Sequence, residues 1–244
     1  EILIKPAAQS MHMRIALAQI DTVVGDFEEN RKKILAYIER AKRAKADIIA
    51  FPELTIPGYP PMDLLYADDF LKQNATTVLE IAKQIEGITA LIGFVDFQRG
   101  EISPDGRVKK YNAIAVIQNR RIMQSIHKVL LPEYDVFFET RYFTSGRAAE
   151  PFTVNGVKCA AEICEDLWSD TYHRNVTLEL ARKGAKLIIN ASASPFSAGK
   201  RDQRVALIRR RIQETELPFF YVNAVGGEDG YEGELVFDGE SLAF

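Results

Sequence analysis

The sequence is poor in cysteine, histidine and tryptophan, which narrows the chemistry it can support. Two cysteines, three histidines and one tryptophan occur among 244 residues. Cys159 and Cys164 lie five positions apart on one predicted strand, so their side chains point to opposite faces and a mutual disulfide is not expected. The histidines show no spacing typical of a zinc site. We therefore expect no metal centre and a free thiol in the reducing cytoplasm.

The sequence also lacks an excess of basic charge and a long apolar run. Its 31 lysines and arginines stand against 34 acidic residues, for a net charge of −3. The chain therefore has no excess of positive charge with which to bind nucleic acid. No apolar stretch reaches the length of a membrane span. We expect neither nucleic acid nor a membrane as a partner. With 47% hydrophobic residues, the composition fits one soluble domain with a sizeable core.

Apolar runs alternate with helical periodicity at both ends of the chain, and hairpin signals lie between them. This order predicts an α/β fold with a mixed sheet. The second helix is expected to bury Leu71, Val78, Leu79 and Ala82, and Asp105-Gly106 is typical of a hairpin turn. Residues 129–147 are a long loop, which suggests a function. Strands are predicted at 14–20, 47–51, 89–97, 111–118, 121–126, 152–154, 157–163, 186–190, 219–223 and 234–237, and helices at 26–44, 68–85, 171–183 and 201–216.

Three chemically active residues stand at the ends of apolar segments. Cys164 ends the strand 157–163, where backbone N–H groups at a following helix start can face an oxyanion. Glu53 follows the apolar run 48–51, and Lys128 precedes a proline-marked loop. Taken singly, they could be an inert core cysteine, a helix-capping acid and a surface cation. The order Glu, Lys, Cys at such positions is a stronger signal than any one member.

The motifs around these residues resemble the nitrilase (carbon-nitrogen hydrolase) superfamily. The three signatures are Phe51-Pro52-Glu53, His127-Lys128 with Leu131-Pro132, and Cys164-Glu165-Asp166. Within the superfamily, the likeness is greatest to the amidase domains of glutamine-dependent NAD+ synthetases, and it covers about residues 13–244. The resemblance implies a four-layer α-β-β-α sandwich of the nitrilase type. The further blocks that carry it are 57–65, 131–137, 141–143, 163–168, 190–200, 225–227 and 235–239.

The resemblance also implies a mechanism for hydrolysing L-glutamine to glutamate and ammonia. Cys164 would attack the carboxamide carbon, Glu53 would move protons, and Lys128 would stabilise the oxyanion with the backbone N–H of Glu165. A thioester would then be hydrolysed. Glu139 is expected either to orient Lys128 or to serve as a surface partner of Arg141.

By the same resemblance, Tyr134, Trp168, Ser194 and Lys200 line the glutamine pocket, although a core position is an equal alternative for Trp168. No cofactor is expected for this reaction; ATP and magnesium belong to a synthetase domain, which would use the ammonia to amidate deamido-NAD. That domain in the same longer chain, and further copies of the chain, are the expected partners. Two alternatives stay open: a free-standing amidase acting on another carboxamide, and a non-catalytic binding homologue.

The limits of the domain are also expectations from the sequence. Residues 1–12 are interpreted as a tag or disordered extension, and 13–244 as a glutaminase domain truncated at its C-terminal end, because the chain stops inside an apparent strand. The segment 227–233 is longer than the family's usual link at this point, so the alignment of 228–233 is open.

Overall fold

The computed structural model describes residues 12–102, 106–147, 150–230 and 233–244 of the chain. Residues 1–11 of the expected extension, Asp105 of the predicted hairpin turn, and residues 231 and 232 of the longer link lie outside the described residues. None of the described helices is long and apolar enough to cross a lipid bilayer.

The secondary structure follows the predicted order of strands and helices. Asp26 caps the first helix by accepting a hydrogen bond from the N–H of Glu29, and basic residues fill the last turn, as the helix dipole favours. In chain order the elements are β1 (Ile15–Leu17), α1 (Phe27–Arg43), β2 (Ile48–Ala50), α2 (Asp68–Ala82), β3 (Thr89–Ile102), β4 (Val108–Gln118), β5 (Arg121–His127), β6 (Phe152–Val154), β7 (Val157–Ile163), α3 (Val176–Arg182), β8 (Leu187–Ser192), α4 (Lys200–Thr215), β9 (Phe219–Asn223), β10 (Val225–Asp229), β11 (Glu234–Asp238) and β12 (Leu242–Ala243). Short 3₁₀ helices lie at Met62–Tyr66, Glu139–Arg141, Cys164–Leu167 and Ser169–Thr171.

The strands form two five-stranded mixed sheets and a separate hairpin. The first sheet has the order β1-β2-β3-β4-β5, parallel over its first three strands and antiparallel over its last three. The second has the order β12-β9-β8-β7-β6, with a parallel centre and an antiparallel strand at each edge. Strands β10 and β11 pair with each other. Sequence thus predicted the mixed character of the sheets correctly.

The two sheets pack face to face, with helices on the outside. Along β2, Ile49 packs with Ile38 of α1 and Ile81 of α2, whereas its neighbours Ile48 and Ala50 belong to a second buried cluster. That cluster also holds β7, α3 and α4 residues, so one sheet face meets helices and the other meets the second sheet. This alternation is what a strand buried on both faces requires. The predicted four-layer α-β-β-α sandwich is confirmed.

Some element bounds differ from the sequence-based expectation, with β1 shorter, β3 longer and α2 shorter than predicted. Three further details also differ. Helix α3 begins at Val176 rather than at residue 171, because 169–171 form a 3₁₀ turn and the Asn175 side chain caps the helix by accepting from the N–H of Leu178. Strand β10 was not predicted. Leu79, expected on the buried side of α2, is 53% exposed.

Candidate active site

Glu53, Lys128 and Cys164 come together although they belong to different sheets. Glu53 follows β2 and Lys128 follows β5, both in the first sheet, whereas Cys164 follows β7 in the second. Chemistry at strand ends is common in α/β proteins. The site therefore lies between two layers, and contacts across the layers set its geometry.

Glu53 is held by three hydrogen-bond donors. The residue is 2% exposed. Its Oε1 accepts from Lys128 Nζ and from Asn112 Nδ2, each at 2.7 Å. Its Oε2 accepts from the backbone N–H of Ala193, which follows β8 of the second sheet, at 3.1 Å. The carboxylate is thus fixed in orientation by groups from both sheets.

Lys128 is a buried cation between two carboxyl groups. Its side chain is 1% exposed, and Nζ donates to Glu53 Oε1 at 2.7 Å and to Glu139 Oε1 at 2.8 Å. Burial alone would lower the pKa of Lys128, but the charges of Glu139 and Glu53 outweigh it and raise that pKa well above its ordinary value. The ammonium group is therefore charged at neutral pH.

Glu139 supports Lys128 from inside the protein. It lies in the 3₁₀ helix of the long loop, is 5% exposed, and also accepts a hydrogen bond from the hydroxyl of Tyr59 at 3.1 Å. Burial, only partly offset by the charge of Lys128, raises the pKa of Glu139 to about 7. Of the two expectations for Glu139, the geometry matches a contact with Lys128; the neighbouring Arg141 reaches Asp63 instead, at 3.9 Å.

Cys164 occupies a sharp turn at the end of β7. Its φ of 42° lies in the left-handed region, which is costly for a residue with a side chain. The residue is 5% exposed and begins the 3₁₀ helix Cys164–Leu167, so it lies just past the strand on which it was predicted. Burial and then the charge of Glu53 raise the pKa of Cys164 well above its ordinary value, against the opposing effect of Lys128. The resting thiol is protonated.

Cys159 has different surroundings. It lies in the interior of β7, is fully buried, and is a free thiol like Cys164. Its sulfur contacts Met13 Sδ at 4.0 Å, and burial raises its pKa to about 11. This is the environment of an inert core cysteine.

Glu165, the residue after the thiol, accepts hydrogen bonds from two tyrosines. Both carboxylate oxygens of Glu165 accept tyrosine hydroxyls, Oε2 from Tyr134 at 2.8 Å and Oε1 from Tyr172 at 3.0 Å. Burial raises the pKa of Glu165. Lys200 Nζ lies 4.3 Å from the ring centroid of Trp168, a cation–π contact. Trp168 is partly buried and packs against the second buried cluster, which includes Cys164.

Ser194 is more deeply placed than the other residues predicted for the pocket. It is 3% exposed, and its backbone N–H donates to Asn223 Oδ1 at 2.8 Å. The hydroxyl accepts from Arg204 at 3.3 Å. Ser194 follows Ala193, whose N–H binds Glu53, so it is linked to the site through the backbone.

Several residues of the site were given no role from the sequence, although Asp166 belongs to the cysteine signature and Tyr59 to the block 57–65. Asn112 sits in β4, and Tyr59 follows the glutamate signature by six residues. Tyr172 ends a 3₁₀ turn, and Asp166 accepts three backbone hydrogen bonds around the site. Asn112 carried a usable signal, because an amide inside a buried apolar strand requires a polar partner. Among the described residues, no cluster of three or more histidine, cysteine, aspartate or glutamate side chains is arranged to hold a metal ion.

Comparisons with known proteins agree with this geometry. The carbon-nitrogen hydrolase family profile matches residues 14–242. A glutamine-dependent NAD(+) synthetase from Synechocystis sp. is 38% identical over 237 residues, which is 94% of this chain and 42% of that protein. One from Thermotoga maritima is 36% identical over 94% of this chain and 38% of its own length. The chain thus spans about two fifths of the relatives it matches.

Solved structures show the same fold. A glutamine-dependent NAD+ synthetase from Acinetobacter baumannii superposes with a TM-score of 0.84 at 32% identity, over 95% of this chain and 41% of that one. An amidase from Nesterenkonia sp. AN1 superposes with a TM-score of 0.75 at 23% identity, over 95% of this chain and 85% of its own, which shows the likeness in fold. With a family profile matched over nearly its whole length and its glutamate, lysine and cysteine signatures meeting at one site, the chain belongs to the carbon-nitrogen hydrolase family.

Proposed function

We propose that this chain hydrolyses the side-chain amide of L-glutamine, with Cys164 as nucleophile, Glu53 as proton carrier and Lys128 as the oxyanion-stabilising cation. The observation that carries the proposal is the buried contact of Lys128 with Glu53 at 2.7 Å, beside a thiol whose pKa responds to both charges. A charged lysine and a fixed carboxylate next to a protonated thiol are the parts that amide hydrolysis through a thioester needs.

The protonation states suggest the order of events. The protonated thiol of Cys164 gives its proton to Glu53 as sulfur attacks the carboxamide carbon. The negative charge that forms on the carbonyl oxygen is stabilised by Lys128 and the N–H of Glu165. Glu53 then passes the proton to the departing amine, releasing ammonia and leaving a thioester. Water, deprotonated by Glu53, hydrolyses the thioester to glutamate and restores the thiol.

The charges of the side chains that we propose for the pocket support an amino-acid substrate. A free amino acid carries an ammonium and a carboxylate, and the pocket offers Glu165 and Lys200 as opposite charges. Tyr134 and Trp168 supply flat surfaces between them. A simple aliphatic amide carries neither charge and gains nothing from these two side chains, so this pairing favours glutamine over other carboxamides.

The longer relatives are glutamine-dependent NAD(+) synthetases. We propose that this chain plays the ammonia-supplying part in such an enzyme and needs no cofactor of its own. ATP and magnesium would serve amidation of deamido-NAD in a synthetase domain of the same polypeptide. Assembly of several copies is part of this proposal.

Removal of the thiol tests the proposal. Glutamine hydrolysis should be abolished in Cys164→Ala and retained in Cys159→Ala, and an electrophilic glutamine analogue should label Cys164. A panel of other carboxamides should be turned over more slowly than glutamine. Labelling of Cys159 with an active Cys164→Ala variant would contradict the assignment, and preference for another amide would favour a free-standing amidase.

A further inference from the structure

The nucleophile and the lysine belong to different sheets, so some contact must set their separation. Lys128 is anchored within the first sheet, where its N–H donates to the carbonyl of Asn112 at 2.8 Å and its own carbonyl accepts from Gly146 at 2.7 Å. Cys164 is anchored at the end of β7 in the second sheet. Hydrogen bonding within each sheet does not fix one relative to the other.

Asp166 spans this division with a single carboxylate. Its Oδ1 accepts from the backbone N–H groups of Val129 at 3.0 Å and Leu130 at 2.8 Å, the two residues that follow Lys128. Its Oδ2 accepts from the N–H of Ile163, the residue before Cys164, at 3.0 Å. We infer that Asp166 is a positioning residue that holds the oxyanion-stabilising Lys128 and the nucleophilic Cys164 in register across the two sheets.

The surroundings of Asp166 make this contact specific. The side chain is 1% exposed, and all three hydrogen bonds it accepts come from backbone N–H groups. The contact with Ile163 also closes the turn around Cys164, whose left-handed φ needs support from its neighbours. Three donors converge on two oxygens, so an amide in place of the carboxylate meets at least one N–H with another donor. An alanine at this position leaves all three backbone N–H groups without an acceptor.

The test compares Asp166→Asn with Asp202→Asn, a matched change at a surface position that is 89% exposed. The inference rests on the proposed function for its kinetic arm. A displacement on the scale of an ångström at a reacting centre costs roughly 100-fold in rate. In folded Asp166→Asn, we expect kcat for glutamine hydrolysis to fall roughly 10- to 100-fold while KM changes much less. Asp202→Asn should behave like the wild type.

A second arm does not depend on glutamine. Alkylation of Cys164 by iodoacetamide should slow in Asp166→Asn by a factor similar to that in kcat, because the thiol is displaced from the groups that activate it. If the wild type does not hydrolyse glutamine, this arm still tests the role of Asp166, and the two ideas fail separately. Folded Asp166→Asn protein with kcat and alkylation within twofold of wild type would overturn the inference.

A third measurement needs no variant, in case Asp166→Asn does not fold. Amide hydrogen exchange of the wild-type protein should show Val129, Leu130 and Ile163 protected together, although 129 and 130 lie in a loop. Rapid exchange of the Val129 and Leu130 amides while the Ile163 amide stays protected would also overturn the inference about Asp166.

Discussion

At the scale of single residues, the surroundings of each buried ionisable group set its charge state. Glu53 accepts hydrogen bonds from several donors, and Lys128 donates to two carboxyl groups. Cys164 is buried near the negative charge of Glu53. The lysine therefore stays charged while the thiol stays protonated. In the proposed mechanism, sulfur becomes nucleophilic as its proton leaves for Glu53.

The first residue-scale prediction concerns the two charged partners of the thiol. Glu53→Gln removes the proton carrier, and Lys128→Met removes the cation facing the developing oxyanion. Loss of one preorganised electrostatic group typically costs about 100- to 1,000-fold in rate, so kcat should fall at least that far in each variant. Steady-state kinetics with circular dichroism as the folding check measures this. A folded variant with near-normal turnover would remove that residue from the mechanism.

A second residue-scale prediction concerns Glu162, a buried acid outside the triad. It accepts hydrogen bonds from Thr177 at 2.8 Å and Asn190 at 3.1 Å, and burial raises its pKa from 4.5 to about 7. The folded state therefore holds a proton that the unfolded chain releases between these values. Glu162 thus lowers the free energy of unfolding as pH rises through this window, by on the order of 3 kcal/mol.

Denaturant titrations across this pH range measure the effect. Glu162→Gln keeps the shape of the side chain and cannot ionise, so its stability should change less between pH 4.5 and about 7 than that of the wild type. Exposed Glu216→Gln is the control and should retain the wild-type dependence. Equal pH dependence in Glu162→Gln and wild type would mean that Glu162 titrates normally.

At the scale of elements, helix α2 allows a buried residue to be compared with an exposed residue of the same helix. Ile81 is fully buried, whereas Leu79 is 53% exposed. Ile81→Ala should lower the free energy of unfolding by about 2–5 kcal/mol, because it leaves a cavity against the first sheet. Leu79→Ala should change it by about 0.5 kcal/mol or less. Chemical denaturation measures both, and similar losses would contradict the assigned face of the helix.

Element by element, sequence was most informative where one physical effect dominates. Strand β7 was predicted at 157–163, as observed, because an apolar run between an Asn-Gly turn and an acidic turn leaves few alternatives. The first residue of helix α3 was predicted too early in the chain. The 3₁₀ turn at Ser169–Thr171 consists of serine, aspartate and threonine, the residue types that commonly begin an α-helix. Strand β10 is glycine-rich and has little strand propensity; it forms because β11 lies opposite it.

For the candidate site, sequence identified residues in motifs but not their partners from elsewhere. Glu53, Lys128 and Cys164 carry signatures, and the structure places them together. Asn112, Tyr59 and Tyr172 reach the same site from a strand interior and two loops. The contacts of Asn112 with Glu53 and of Tyr59 with Glu139 join residues about 60 and 80 positions apart, so the fold had to be known before these two partners were visible. Tyr172 lies only seven positions from Glu165.

At the scale of the whole molecule, the last prediction concerns a longer polypeptide. If the chain supplies ammonia to a synthetase domain, Cys164→Ala in that polypeptide should make NAD+ from free ammonia but not from glutamine. The reason is that the thiol is needed only to release ammonia. Measuring NAD+ formation from each nitrogen source, with Cys159→Ala as control, tests this. Loss of both activities in folded Cys164→Ala protein would contradict a division of labour between domains.

The division of the site between two sheets also has a consequence for how the molecule acquires activity. The first sheet is built from one continuous part of the chain and the second from the part that follows, and each contains mostly pairings between strands close in sequence. Each layer can therefore form with short loop closures, whereas Cys164 meets Glu53 and Lys128 only when the layers dock. During refolding, secondary structure should return first, and catalytic competence should report the later docking of the two halves.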